Sequence, residues 1–141
     1  MQSLENFQKR FELKTHTVFS TEHWVVSVRP RQITVGSMVV SLKRECYFFS
    51  QVTPTELSDL SGVYGYVESV LSERFGAVKF NYLALMLVDD ILHFHVIPRY
   101  DEDVTCFGHQ YTDQYWPGPV DIAGAVDVDV LKLVDMLKLS V

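Results

Sequence analysis

Between Leu92 and Arg99 the chain reads LHFHVIPR, an apolar run that holds two imidazoles two residues apart. Alternate side chains of a strand share a face, so His93 and His95 are expected on one side of a sheet while Leu92, Phe94 and Val96 enter a core on the other. A lone buried histidine is commonly a hydrogen-bonded packing residue. Two on one face of a hydrophobic strand each need polar partners if dry, and this makes a reactive site the leading reading. An imidazole can serve near neutral pH as nucleophile, proton carrier or metal ligand.

Around this run the sequence predicts an α+β chain. A short amphipathic helix is expected over Ser3 to Leu13, with Leu4, Phe7 and Phe11 on one side. Strands are expected over His16 to Ser20, His23 to Arg29 and Ser37 to Leu42, with Pro30 and Gly36 bracketing a turn. Thr53-Pro54-Thr55-Glu56 is a capping box with proline at the first helical position. Leu57, Leu60, Tyr64, Val67 and Leu71 continue at helical spacing to a stop at Gly76. Strands over Phe80 to Val88 and Ile91 to Ile97 are expected to meet in a tight hairpin at Asp89-Asp90. A last helix is expected from Asp127 to Leu139, its stripe formed by Val130, Leu131, Val134 and Leu137.

The segment FNYLALMLVDDILHFHVIPRY, Phe80 to Tyr100, resembles the signature of the histidine-triad superfamily of nucleotide hydrolases and transferases. That signature is His-x-His-x-His followed by two apolar residues and commonly Pro-Arg. His93 and His95 match the second and third histidines, and Ile91 stands in place of the first. The resemblance covers about residues 14 to 100 and implies an antiparallel sheet of about five strands with a long helix packed across it. It further implies that His93 attacks an α-phosphorus to form a nucleotidyl-histidine, that His95 contacts the phosphate, and that a main-chain carbonyl near the first histidine orients the nucleophile. Ile91 retains that carbonyl.

Other positions follow from the resemblance. Ser27, three residues before Pro30, stands where the family holds the ribose hydroxyls with Asn or Asp; Ser37 stands where an upstream histidine is usual. Both also read as ordinary polar strand residues. Asn81 resembles an amide that contacts the phosphate region, or is a strand-end amide. Arg99 belongs to the same nucleotide-binding set, or pairs with a carboxylate. The family's Gly-Gln-Ser/Thr donor segment has no counterpart in Met86-Leu87-Val88-Asp89-Asp90. Arg29-Pro30-Arg31 and Lys43-Arg44 form a local basic cluster that either steers a substrate or decorates a turn. Trp116 reads as a lid, a subunit contact or tail packing.

A net charge of −6 argues against a broad nucleic-acid surface while leaving room for a small nucleotide held by local donors. At 141 residues and 48% hydrophobic content, the chain reads as a single domain that needs no disulfide staples. Cys46 and Cys106, far apart, read as free thiols, and no run of about 18 to 20 apolar residues predicts a membrane helix. The expectation is a cytoplasmic protein without cofactor or resident metal, a homodimer by the family's habit. Two other classes stay open: a non-catalytic nucleotide-binding or interaction protein, and a metal site built from His93 and His95 with His109 or Cys106.

Overall fold

Residues 1–138 are described by a computed structural model. In chain order the elements are α1 (Leu4–Arg10), α2 (Leu13–His16), β1 (Thr17–Ser20), β2 (Trp24–Val28), β3 (Met38–Leu42), α3 (Pro54–Phe75), β4 (Lys79–Leu83), β5 (His93–Arg99), β6 (Val104–Cys106), β7 (His109–Tyr111) and α4 (Val130–Lys138). Five strands form one antiparallel sheet in the order β1-β2-β3-β5-β4, and β6 and β7 form a separate hairpin. The expected α+β architecture is present, a five-stranded antiparallel sheet with a long helix.

The α3 helix starts where its cap demands. Thr53 Oγ1 accepts the Glu56 N–H at 3.2 Å while Glu56 Oε1 accepts the Thr53 N–H at 2.9 Å, so two otherwise orphaned donors are satisfied reciprocally. Gly76 ends the helix with φ 78, a left-handed cap that a residue with a Cβ adopts at a cost. Leu60, Val63, Val67, Val70 and Leu71 are buried in a cluster with Trp24, Val26, Val40, Phe94 and Val96 of the sheet. Leu57, expected in that stripe, is exposed on the first turn. The even-numbered side chains of β5 thus supply the helix side of the sheet, as alternation requires.

The opposite face is covered as well. Phe7, Phe11 and Leu13 bury against Val39 and Ile91, so the N-terminal segment lies over the odd-numbered side of the sheet. Here the expected single helix over Ser3 to Leu13 is corrected. Glu12 takes a left-handed conformation (φ 53, ψ 42) and separates α1 from α2. In an unbroken helix Leu13 would point about 200° away from Phe11; the break lets both side chains enter one cluster.

Further expectations are corrected. The strand expected to reach Val88 ends at Leu83, and Asp89-Asp90 makes no tight hairpin, because its carboxylates are tied to the N-terminal segment. Asp89 accepts from Arg10 Nε at 2.8 Å and Gln2 Nε2 at 2.7 Å, and Asp90 accepts from the Gln2 N–H at 3.0 Å. The following strand starts at His93 rather than Ile91 and runs on to Arg99. The tail holds a hairpin absent from the sequence reading, turned at Phe107 (φ 51) and Gly108 (φ 79), whose paired positive φ values suit a twisted two-residue turn. The last helix begins at Val130, and the expected end at Leu139 lies outside the described residues.

Arg44 grips Glu56 through two bonds, Nε to Oε2 at 2.7 Å and Nη2 to Oε1 at 2.8 Å, and Trp24 Nε1 donates to the Glu56 carbonyl at 2.8 Å. The Arg44 bonds hold the Glu56 carboxyl at about 2 against an ordinary value of 4.5. A carboxyl lowered on folding contributes stability above its ordinary pKa and loses it as pH falls through the folded value. The urea midpoint of the protein is therefore expected to drop between about pH 4.5 and about pH 2. Glu56→Gln is expected to start lower at neutral pH and to lose this part of the acid dependence, read by urea titrations at several pH values.

Candidate functional site

His93 and His95 leave β5 on the side facing α1. Their rings are 5.0 Å apart between centroids and nearly perpendicular, at 84°. Phe7 lies 5.1 Å and Phe11 5.4 Å from the His93 ring, and Phe11 lies 6.2 Å from His95. This aromatic roof leaves His93 3% and His95 8% exposed.

Burial makes the protonation states legible. Nδ1 of His93 lies 2.6 Å from the Ile91 carbonyl, which can only accept, so Nδ1 carries the proton and Nε2 the lone pair. Arg29 Nε, which can only donate, lies 3.2 Å from Nδ1 of His95, so that nitrogen holds the lone pair and Nε2 the proton. Desolvation is the main cause that pushes both rings below the usual histidine range, His95 to about 4. The positive charge of Arg29 adds to this at both rings, and the Ile91 bond partly opposes it at His93. Two neutral rings therefore stand side by side with opposite proton assignments on Nε2.

The sequence candidates separate into three places. Ser27 shares a cross-strand row with Val39 and His95, and its hydroxyl donates to the Val39 carbonyl at 3.4 Å. Ser37 is fully buried in the turn before β3, where its hydroxyl donates to Thr34 O at 2.7 Å and accepts the Thr34 N–H at 3.0 Å. Asn81 and Arg99 meet at the far end of β5, with Arg99 Nη1 donating to Asn81 Oδ1 at 2.9 Å. Four residues of strand separate Arg99 from His95, about 13 Å.

Arg99 is firmly bonded where it lies. Its Nε and Nη2 donate to Asp113 at 2.8 and 3.1 Å, Nη2 also donates to the Gly118 carbonyl at 2.7 Å, and Trp116 stands 5.8 Å from the guanidinium carbon. Trp116 therefore packs against this cluster. Cys106 and His109 pair across the separate β6–β7 hairpin, and among the described residues no group of three or more His, Cys, Asp or Glu side chains is placed to hold a metal.

Two residues join the histidines that the sequence reading did not assign to the site. Arg29, seen there only as part of a basic cluster, follows Val25 and Ser27 by strand parity, which is the signal that places it on this face. Ser41 is the cross-strand partner of His93, 1% exposed, and its hydroxyl has no hydrogen-bond partner among the described residues. A buried hydroxyl without a partner forgoes roughly 1 to 3 kcal/mol. A cleft of about 650 Å³ runs beside the roof, with Leu13 and Val25 in its wall and Lys14 and Lys43 at its edge. A second, of about 700 Å³, is lined by Asn81, Tyr82, Arg99 and the Pro117–Val120 loop. Neither includes His93 or His95.

No family profile and no curated protein sequence matches this chain. Solved structures do. A Hit-like protein involved in cell-cycle regulation from Bartonella henselae has a TM-score of 0.71 at 12% identity, over 99% of this chain and 96% of that one. A histidine triad protein from Sinorhizobium meliloti gives 0.69 at 21% identity, over 92% and 89%. The Plasmodium falciparum diadenosine triphosphate hydrolase, solved with cyclomarin A, gives 0.65 at 13% identity, over 90% and 76%. Likeness at these identities is a likeness of fold.

The Arg99–Asp113 pair is buried at both ends, with side-chain exposures of 4% and 2%. Removing one partner of such a pair leaves an uncompensated charge and costs about 3 to 5 kcal/mol. Asp113→Ala is expected to lower the unfolding free energy by about 3 kcal/mol or more, measured by urea denaturation. An unchanged midpoint would show that Arg99 is not bound there in solution.

Proposed function

Taking the histidine-triad fold of this chain as premise, we propose that it is a nucleotide phosphohydrolase or nucleotidyl transferase acting at an α-phosphate. The substrate class is a dinucleoside polyphosphate or a nucleoside phosphoramidate. The observation that carries this reading is the opposite proton assignment of the two rings: an Nε2 lone pair on His93 beside an Nε2–H on His95.

In this mechanism the His93 Nε2 lone pair forms a bond to phosphorus while the bond from phosphorus to the leaving oxygen or nitrogen breaks and its electron pair departs with that atom. The ring becomes a cation, and the Ile91 carbonyl, holding Nδ1–H, stabilises it. Water or another acceptor then attacks phosphorus, the P–N bond breaks, and the neutral ring returns. His95 Nε2–H and the Ser41 hydroxyl are suited to the phosphoryl oxygens, where donors aimed at developing charge contribute most. The cleft beside Leu13 and Val25 is suited to the nucleoside; Ser27, assigned to the ribose by the resemblance, lies outside that cleft, 1% exposed and bonded to the Val39 carbonyl, so it reaches a sugar only when the site opens. Loss of the first histidine does not touch the nucleophile, because its orienting group is main chain.

Phe7 and Phe11 favour a second reading. They cover His93 so closely that a phosphate reaches it only when the roof shifts, which suits a protein that binds nucleotide without turning it over. Both cysteines are free and buried, in keeping with a reducing cytoplasm, and no helix among the described residues is long and apolar enough to cross a membrane. A homodimer belongs to the same proposal.

Incubation with adenosine phosphoramidate or diadenosine polyphosphate, followed by intact-mass analysis, is expected to show a nucleotidyl adduct that maps to His93 and vanishes in His93→Ala. Binding without adduct or turnover would establish the second reading. Because burial lowers the His93 pKa, the acid limb of kcat/KM is expected below the ordinary histidine value of 6.5. A limb above that value would show that the ring reacts in a more solvated state.

A further inference from the structure

We infer that Arg29 is a positioning residue for His95: through its Nε–H···Nδ1 bond it locks that ring as an Nε2–H donor, making His95 a hydrogen-bond donor to phosphate and barring it from general-acid work. The inference rests on the proposed reaction for its catalytic consequence, and on geometry alone for the tautomer.

The guanidinium stays protonated throughout the accessible pH range, so the 3.2 Å contact has one polarity. Were His95 to take a second proton, an Nδ1–H would face the Arg29 Nε–H, donor against donor and cation against cation. The bond thus excludes the imidazolium as well as the other neutral tautomer. Arg29 is not an adventitious neighbour. Its Nη1 donates to the Arg31 carbonyl at 2.5 Å, its own N–H donates to the Ser37 carbonyl at 2.9 Å, and its carbonyl accepts from Gln32 Nε2 at 2.7 Å. Arg31 in turn donates to the Ala123 carbonyl at 2.6 Å. The turn that buries Ser37 therefore fixes the guanidinium against the ring, and no carboxylate meets Arg29 among the described residues.

The charged and titratable groups that act on His95 are His93 on its own strand, Arg29 just after β2 and Asp89 from the loop before β5; Phe11, the C-cap of α1, covers it. Of these, only Asp89 favours protonation, and Asp89 is already bonded to Arg10 and Gln2.

The consequence for the reaction is a definite proton balance. When His93 Nε2 bonds to phosphorus and the leaving group departs with its electron pair, a neutral His95 cannot give up its only N–H without becoming an imidazolate. The leaving group takes its proton from water, and His95 contributes only the hydrogen bond. This chain, with isoleucine in place of the first histidine, thereby separates nucleophile and donor: His93 alone becomes cationic as it bonds to phosphorus, and His95 stays neutral.

The test is long-range ¹H–¹⁵N NMR of the imidazoles in the full chain, without substrate, from about pH 5 to about pH 8, on the protein, Arg29→Met and Arg29→Lys. The wild-type His95 ring is expected as the pure Nε2–H form and flat across this range, consistent with a pKa of about 4. Arg29→Met is expected to give mixed tautomers and a ring that begins to titrate, with Arg29→Lys restoring the Nε2–H form. An Nδ1–H signal for wild-type His95, or an Arg29→Met spectrum identical to wild type, would overturn the assignment. Where turnover is present, Arg29→Met is expected to reduce kcat roughly 100-fold, the scale of losing one transition-state donor, and to make it pH-dependent, with Arg29→Lys recovering most of the rate. Locked tautomers together with absent adduct would remove the proposed reaction and leave the positioning role intact.

Discussion

Every residue of β5 is buried, on both faces of the sheet, and the rest of the structure answers to that fact. Its even side is hydrocarbon and needs only α3. Its odd side carries two imidazoles and a guanidinium, and such groups are tolerated out of water only when bonded. The Ile91 carbonyl, Arg29 and Asp113 are the bonds supplied, one for each of His93, His95 and Arg99. The loop before β5, the turn after β2 and the segment after β7 are each held where these partners require.

Local signals in the sequence located the parts of the fold whose causes are local. The capping box at Thr53 and the glycine at Gly76 bracket α3 to the residue, because both act within one helical turn. Strand parity placed His93 and His95 on one face and Phe94 and Val96 on the other. What escaped were bonds between distant segments. Asp89-Asp90 has the composition of a turn, yet Arg10, 79 residues earlier, takes Asp89 for a different purpose. Arg99 beside the histidines has the composition of a phosphate ligand, yet Asp113 in an irregular tail takes it first. The Glu12 break likewise follows from where Leu13 has to go, a tertiary demand that helical spacing does not carry.

Ile91 joins the fold to the chemistry. It is fully buried with Phe7 and Phe11 in the cluster that roofs the histidines, while its carbonyl orients His93. An apolar side chain at this position extends the roof, and the main chain keeps its part in the site. The same residue therefore makes His93 a better lone-pair carrier and a harder one to reach. Arg10 and Gln2, bonded to the Asp89-Asp90 loop next to it, fasten the roof at its edge.

The pairing of β3 with β5 sets Ser41 opposite His93 and Val39 opposite His95, with Val40 opposite Phe94 between them. A shift of a single residue in that ladder would turn both imidazoles toward the long helix and bring the phenylalanine under α1. The greasy matching that holds α3 in place is thus also a proofreader for the reactive face: no slip by a single residue can keep a sound core and a wrong site.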